Sequence, residues 1–359
     1  MHSFNRVGYR NFVFRFNAQM AFWNFLTKEI AIDLGTANTL VMFNDKVVVD
    51  EPSIVAMDRT TGRVIAVGRE ALQMHEKTHE NIRTVRPLRD GVIADFTVAE
   101  HMIRHFIKKL QTDRKFLGAN LKMVICIPSG ITEVEKRAVK DSAEHAGAKE
   151  IYLIHEPMAA ALGIGIDVES HVGHMIVDIG GGTTEIAVIA LGGIVCDQSI
   201  RIAGDELNNN ILFHMRRQHN LDIGEKTAER IKIHVGSAQD DLADPPAAYE
   251  AHGRDDMTGN PKKVTVNYKE IAGANSVNIR KKEEAVHKAL EQTPPELSAD
   301  IYEQGIHLTG GGALLRGLDT RLSERTKLPV HVAEDPLRAV VRGTGIALKN
   351  YQRYKFLLM

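Results

Sequence analysis

The chain has 359 residues, 43% hydrophobic and 25% charged, with a formal net charge of −1 at pH 7. That length accommodates two domains with a sizeable core. The balanced charge gives no field for nucleic acid, and no run reaches the ~20 apolar residues of a membrane-crossing helix.

Residues 1–19 carry arginines at 6, 10 and 15 and no acid. They lack the apolar core and cleavage site of a signal peptide and are expected to be an extension without a structural role. In residues 20–28, which hold the only tryptophan, Phe22, Trp23, Phe25 and Leu26 cluster beside Lys28. This composition suits a bilayer interface, with packing against the core as the alternative.

Residues 30–43 read as an apolar strand, Asp33, a turn of Gly35, Thr36, Ala37 and Asn38, and a second apolar strand. Further short strands follow in a β-rich insert over about 46–86. His75 and His79, like His101 and His105, have zinc-compatible spacing but no acid or cysteine beside them, and are expected on solvated helix faces. An amphipathic helix is expected over 98–110. Beyond it, Phe116 and Leu117 follow Arg114 and Lys115, a second candidate membrane contact or a buried loop anchor.

Residues 122–128 form a buried strand, and Ser129 or Thr132 can cap the next helix. The two cysteines, Cys126 and Cys196, lie in apolar runs without ligand spacing and read as reduced core thiols. The strand 151–154 ends at His155-Glu156-Pro157, before a helix of small residues. Glu156 at a strand end can orient water for attack on a γ-phosphate, or simply cap the helix.

Residues 175–189 repeat the first hairpin: an apolar strand, Asp178, the turn Gly180-Gly181-Gly182-Thr183, and another apolar strand. Three glycines leave backbone N–H groups open to an anion. An acid among such donors fits a hydrated cation bound with phosphates. One such hairpin is weak evidence, since a plain turn uses the same residues. Asp33 and Asp178, however, stand 145 positions apart, with Gly35 matching Gly180 and Thr39 matching Thr184. A spacing of one domain length indicates a duplicated domain, with two hairpins facing each other across a cleft.

Gly204 and Asp205 open a helix, and a charged helix follows over 223–232. On it Glu229 and Lys232 share a face and can bracket a ribose and base, or pair at the surface. Residues 240–261 read as a solvated loop or irregular hairpin, and a helix is expected over 281–292. The strand 303–309 runs into Gly310, Gly311, Gly312 and Ala313, another place where backbone can approach a nucleotide. A closing helix is expected over 337–348. The tail 351–359 is basic and apolar, with no role assigned.

Taken together, the order of Asp33-Leu34-Gly35-Thr36, Glu156-Pro157 with its alanine helix, Asp178 to Thr183, and Thr309 to Gly312 resembles the actin-like ATPase superfamily. Within it the chain closely resembles the MreB family of bacterial cell-shape actins. The wording of residues 31–39, 86–95, 294–297 and 308–316 carries that resemblance, which runs from about Met20 to about Tyr351.

The resemblance implies an α/β actin-like ATPase fold. Two duplicated ribonuclease-H-like domains, each with a smaller inserted subdomain, would surround a nucleotide cleft. The first would span 28–165, with its insert at about 46–86. The second would span 166–350, with its outer subdomain at about 205–290. The resemblance further implies ATP and Mg2+ as cofactors and hydrolysis coupled to assembly of a homopolymer of paired protofilaments. It implies a cytoplasmic protein, peripheral on the inner face of the cytoplasmic membrane, that organises cell-shape and wall-synthesis membrane proteins, with no nucleic acid partner.

Residue by residue, Thr36, Ala37 and Asn38 match the first phosphate loop, and Gly181, Gly182 and Thr183 the second. Glu229, Arg230, Ile231 and Lys232 match the adenosine-contacting helix, and Gly310 to Ala313 the last nucleotide loop. Glu156 matches the water-orienting glutamate, and Asp33 and Asp178 lie near the metal. The Phe22–Leu26 and Phe116-Leu117 clusters match a membrane anchor and an insertion loop. Two departures stand out. His155 replaces a usual second acid, implying altered local charge with hydrolysis retained, and residues 271–276 look less helical than the family's. A sugar kinase of the superfamily is the alternative, but no additional acid for the acceptor proton is evident. A heat-shock-type chaperone would need a β-rich peptide domain after the ATPase.

Overall fold

The computed structural model describes residues 27–77, 79–110 and 120–359. Phe22, Trp23, Phe25, Leu26, Phe116 and Leu117 lie outside the described residues.

Two five-stranded sheets carry the fold and share one topology. Across the first, the order is Glu150–His155, Asn120–Ile127, Thr27–Leu34, Asn38–Phe43, Lys46–Pro52. Across the second it is Val330–Val332, Ile306–Thr309, His174–Ile179, Thr184–Ala190, Gly193–Ile200. In each, a three-stranded antiparallel meander is extended by two parallel strands. The duplication extends to single hydrogen-bonded pairs. Leu34 faces Thr39 in the first hairpin, and Ile179 faces Thr184 in the second, so each encloses a turn of four residues.

Both sheets are covered by helices, which explains near-continuous apolar strands such as Thr184–Ala190, buried at all seven positions. Helices Glu156–Gly163 and Ala339–Lys349 lie between the sheets. Their Ala159, Ala160, Ala161, Val340 and Ala347 share one core with Ala31 and Val124 of the first sheet and Ile176 and Ala187 of the second. The two helices touch backbone to backbone. A Cβ on Gly163 would stand 1.8 Å from the Ala339 carbonyl oxygen, and one on Gly343 would stand 1.7 Å from that of Ala159. The small-residue run is therefore a packing requirement. On the far face of the first sheet, Met102 and Phe106 of helix Phe96–Leu110 and Val139 of helix Glu133–His145 complete a separate core.

Each half carries an outer element. In the first, strands Val55–Asp58, Val64–Val67 and Ile82–Val85 form a small sheet packed on helix Arg69–Met74 around Ile54, Ala56, Ala66 and Ala71. Residues 46–52, read into the insert from the sequence, are instead the edge strand of the large sheet. In the second, helices Gly204–His219, Glu225–Val235 and Tyr268–Gln292 pack on strands Leu221–Asp222, Tyr249–Asp255 and Pro261–Val266. The last two strands pair as a hairpin, the first of them falling within the polar stretch 240–261 that reads as a loop or irregular hairpin.

Tyr268–Gln292 is one helix of 25 residues, so the expectation of weak helicity at 271–276 is corrected. Gly273 costs helix propensity, about 1 kcal/mol against alanine. Burial of Ile271 and Asn275, together with the Asn267 side chain capping Glu270 N, outweighs it. The tail also finds a place: Met359 exchanges two backbone hydrogen bonds with Leu153, at 2.9 and 3.0 Å, along the outer edge of the first sheet.

Candidate nucleotide site

The two hairpin turns meet where the domains face each other. Each is tight for its own local reason. A Cβ on Gly35 would lie 2.6 Å from the Asn38 carbonyl oxygen, and Gly180 N donates to Thr183 O at 2.9 Å. Thr39 and Ser53 hydroxyls lie 2.9 Å apart, and Ser53 Oγ donates to Gly35 O at 2.6 Å, fixing the first turn from behind. Across the cleft, a Cβ on Gly181 would stand 2.7 Å from Cβ of Ala37, and one on Gly182 2.6 Å from Thr36 Oγ1. Glycine is thus required at both positions by the opposite domain, not by the turn. Helix Gly204–His219 begins directly behind the second turn, Asp205 N donating to Gly181 O at 2.8 Å. Its positive dipole end adds to the donors around the turn.

Acids line the same space. Burial pushes Asp33 up to about 6, although Cys126 Sγ donates to it at 3.2 Å. Asp178 is 5% exposed and is pushed up to about 7 by burial, opposed by Thr309 Oγ1 donating at 2.7 Å, with the charges of Asp33 and Glu185 adding to the rise. Glu156, the first residue of its helix, is lifted well above the carboxylate range by burial, then by Glu185, Asp178 and Asp33. The charges acting on Asp178 and Glu156 are all acidic. Buried hard-oxygen groups that repel one another fit a hydrated divalent cation, which would hold Asp33 and Asp178 ionised.

The family model described as MreB/Mbl protein matches residues 27–356. This chain belongs to the MreB/Mbl family. The cell shape-determining protein Mbl of Bacillus subtilis (strain 168) is 48% identical over 330 residues, covering 91% of this chain and 97% of the relative. The cell shape-determining protein MreB of Escherichia coli (strain K12) is 48% identical over 333 residues, covering 91% and 95%. MreB 5 of Spiroplasma citri, solved bound to AMPPNP, superposes with a TM-score of 0.86 at 38% identity, covering 92% of this chain and 98% of that one. A MamK double helical filament gives 0.76 at 24% identity, covering 91% and 99%, a likeness of fold alone. The fold is actin-like, and the kinase alternative is not favoured by these relatives.

The remaining residues matched to the MreB family, and the departure at His155, fall in different environments. Lys232 reaches the start of the helix behind the second turn, its Nζ donating to Gly204 O at 3.1 Å, with burial lowering its pKa. Glu229, one of the charges acting on Lys232, is exposed, as is Arg230. Ile231 is fully buried in the outer core and faces away from solvent. Gly310 takes φ 78°, and a Cβ there would lie 2.3 Å from Ile179 O, while one on Gly312 would lie 2.1 Å from Ile179 Cγ2. The last glycine loop is therefore pressed onto the end of the strand that carries Asp178. Gly311 opens the 3-10 turn Gly311–Leu314, and Ala313 lies in the core of the second domain. His155 Nδ1 is buried without a partner, and burial lowers its pKa.

Two features escaped the sequence reading. Glu185, fully buried, accepts from Ser129 Oγ at 2.6 Å and Ser199 Oγ at 2.7 Å. An acid inside an otherwise apolar strand was the available signal. His75 is not a solvated histidine. Its Nε2 lies 3.2 Å from Glu225 Oε2, which Arg86 also meets at 3.3 Å, and Glu225 N donates to Glu76 Oε1 at 2.9 Å. These contacts close the cleft mouth between the two outer elements and hold Glu225 down at about 2, the His75 bond contributing most.

Proposed function

We propose that the chain binds ATP with Mg2+ between its two glycine turns, hydrolyses it, and assembles into filaments on the inner face of the cytoplasmic membrane. There it would direct cell shape by organising wall-synthesis proteins. The observation that carries the reading is the approach of Gly181 and Gly182 to Ala37 and Thr36. Two sets of open N–H groups brought side by side suit one phosphate chain laid across both turns.

In this reading Thr36, Ala37 and Asn38 donate to the phosphates from one side, and Gly181, Gly182 and Thr183 from the other. Glu229 and Lys232 bracket the ribose and base, with Gly310 to Ala313 backing them. Asp33 and Asp178 hold Mg2+, which supplies charge neutralisation at the phosphates when bound. Glu156, at the head of its helix, accepts a hydrogen bond from water and orients it toward the phosphates. Relatives support the wider claim. Those at 48% identity are named cell shape-determining, and MreB 5 of Spiroplasma citri was solved with AMPPNP and with ADP. Phe22, Trp23, Phe25, Leu26, Phe116 and Leu117 supply the membrane contact.

Sedimentation and electron microscopy of the protein with ATP, Mg2+ and lipid test the proposal. Concentration-dependent filaments on the lipid are expected. A discrete monomer that phosphorylates sugars would overturn it.

A further inference from the structure

Away from the cleft, His214, His219 and Glu270 bring three ligand atoms within 4.8 Å of one another. His214 and His219 lie in the last turns of helix Gly204–His219, and Glu270 in the first turn of helix Tyr268–Gln292. All three side chains are half-buried, and both imidazole Nε2 atoms aim at the same carboxylate oxygen, that of His214 from 2.7 Å.

The surroundings hold this arrangement in place. Asn267 Oδ1 accepts from Glu270 N at 3.1 Å, and Lys262 Nζ donates to the His219 carbonyl at 2.7 Å. Two nearby cations have acidic partners of their own: Lys262 lies 2.9 Å from Asp255, and Arg216 lies 3.2 Å from Asp256.

Two imidazole nitrogens and one carboxylate oxygen within 4.8 Å of one another supply the donor set of a three-ligand zinc-type site, a cation replacing the hydrogen bonds that now join them and leaving a fourth position for solvent. Hard cations such as Mg2+ prefer all-oxygen surroundings, so this set selects borderline metals. We propose that His214, His219 and Glu270 bind a divalent transition metal of the zinc class, separate from the nucleotide's cation. Bound there, the metal staples the end of one outer helix to the start of another. The opposite end of the first helix touches the phosphate turn through Asp205 and Gly181.

The test uses the full chain, stripped with chelator and titrated with Zn2+ by calorimetry and with Co2+ by visible absorption. Expected are one tight equivalent, the strong visible bands of low-coordinate Co2+, and a rise in melting temperature on adding Zn2+. Glu270→Gln and the double change His214→Ala/His219→Ala should each weaken binding at least tenfold and abolish the melting shift. Glu270→Gln retains the hydrogen-bond acceptor and carries the test if the double variant misfolds. Equal affinity and equal Co2+ spectra in wild type and variants would place the metal among the other histidines, of 16 in all, and overturn the proposal. So would the absence of binding at equimolar metal.

Discussion

Glu185 and Ser129 are joined across the domain boundary, the buried carboxylate accepting from the serine hydroxyl at 2.6 Å and from its backbone N–H at 3.2 Å. With Ser199 as a third donor, the buried carboxylate beside the second turn is hydrogen-bonded from both domains. Glu185→Ala strands those donors and should cost about 2–4 kcal/mol of stability, with Glu185→Gln falling between it and wild type. Urea unfolding measures this. A wild-type midpoint for the alanine variant would remove Glu185 as an interdomain tie.

Glu156→Ala should leave ATP affinity within about threefold of wild type while slowing phosphate release by about 100-fold or more, the range for a positioned acid–base group. Its place at the head of a helix wedged between both sheets also permits a purely structural role. Equal loss of binding and turnover would favour that role.

His307 stands between His174 and His331, with ring centroids 6.2 and 5.5 Å away. Burial, then the charges of His331 and His174, depress its pKa from 6.5 to about 4. Between those values the unfolded chain binds a proton that the folded chain refuses. The His307 contribution to stability is therefore fully present above about pH 6.5 and is lost as pH drops toward 4. His307→Val should flatten the acid side of a melting-temperature profile taken from pH 8 to pH 4.5. An unchanged acid slope would show that other groups set it.

Replacing Phe22, Trp23, Phe25 and Leu26 together with serine should weaken liposome co-pelleting several-fold, because the apolar area offered to the bilayer is lost. Unchanged pelleting would assign those side chains to the protein core.

What could be read from the sequence was what backbone geometry forces on composition. Gly35, Gly180 and the 145-residue spacing of Asp33 and Asp178 revealed a duplication that the sheets reproduce strand for strand. Partners from distant segments could not be read. Nothing near His75 in the chain announces Glu225, and nothing beside Glu185 announces Ser129. Local propensity also misled at 271–276, where glycine and asparagine obscured a helix that tertiary packing imposes. At Gly310 and Gly312, glycines read for nucleotide approach also meet a steric demand from Ile179.

The most direct test of the nucleotide site is equilibrium binding of ATP with Mg2+ to Gly181→Ala, since a single added methyl there falls 2.7 Å from Ala37 Cβ and must push the two turns apart. Affinity at least tenfold below wild type, with an unchanged far-ultraviolet circular dichroism spectrum, is the expected result. Wild-type affinity in that variant would mean that the turns do not close on one nucleotide from opposite sides.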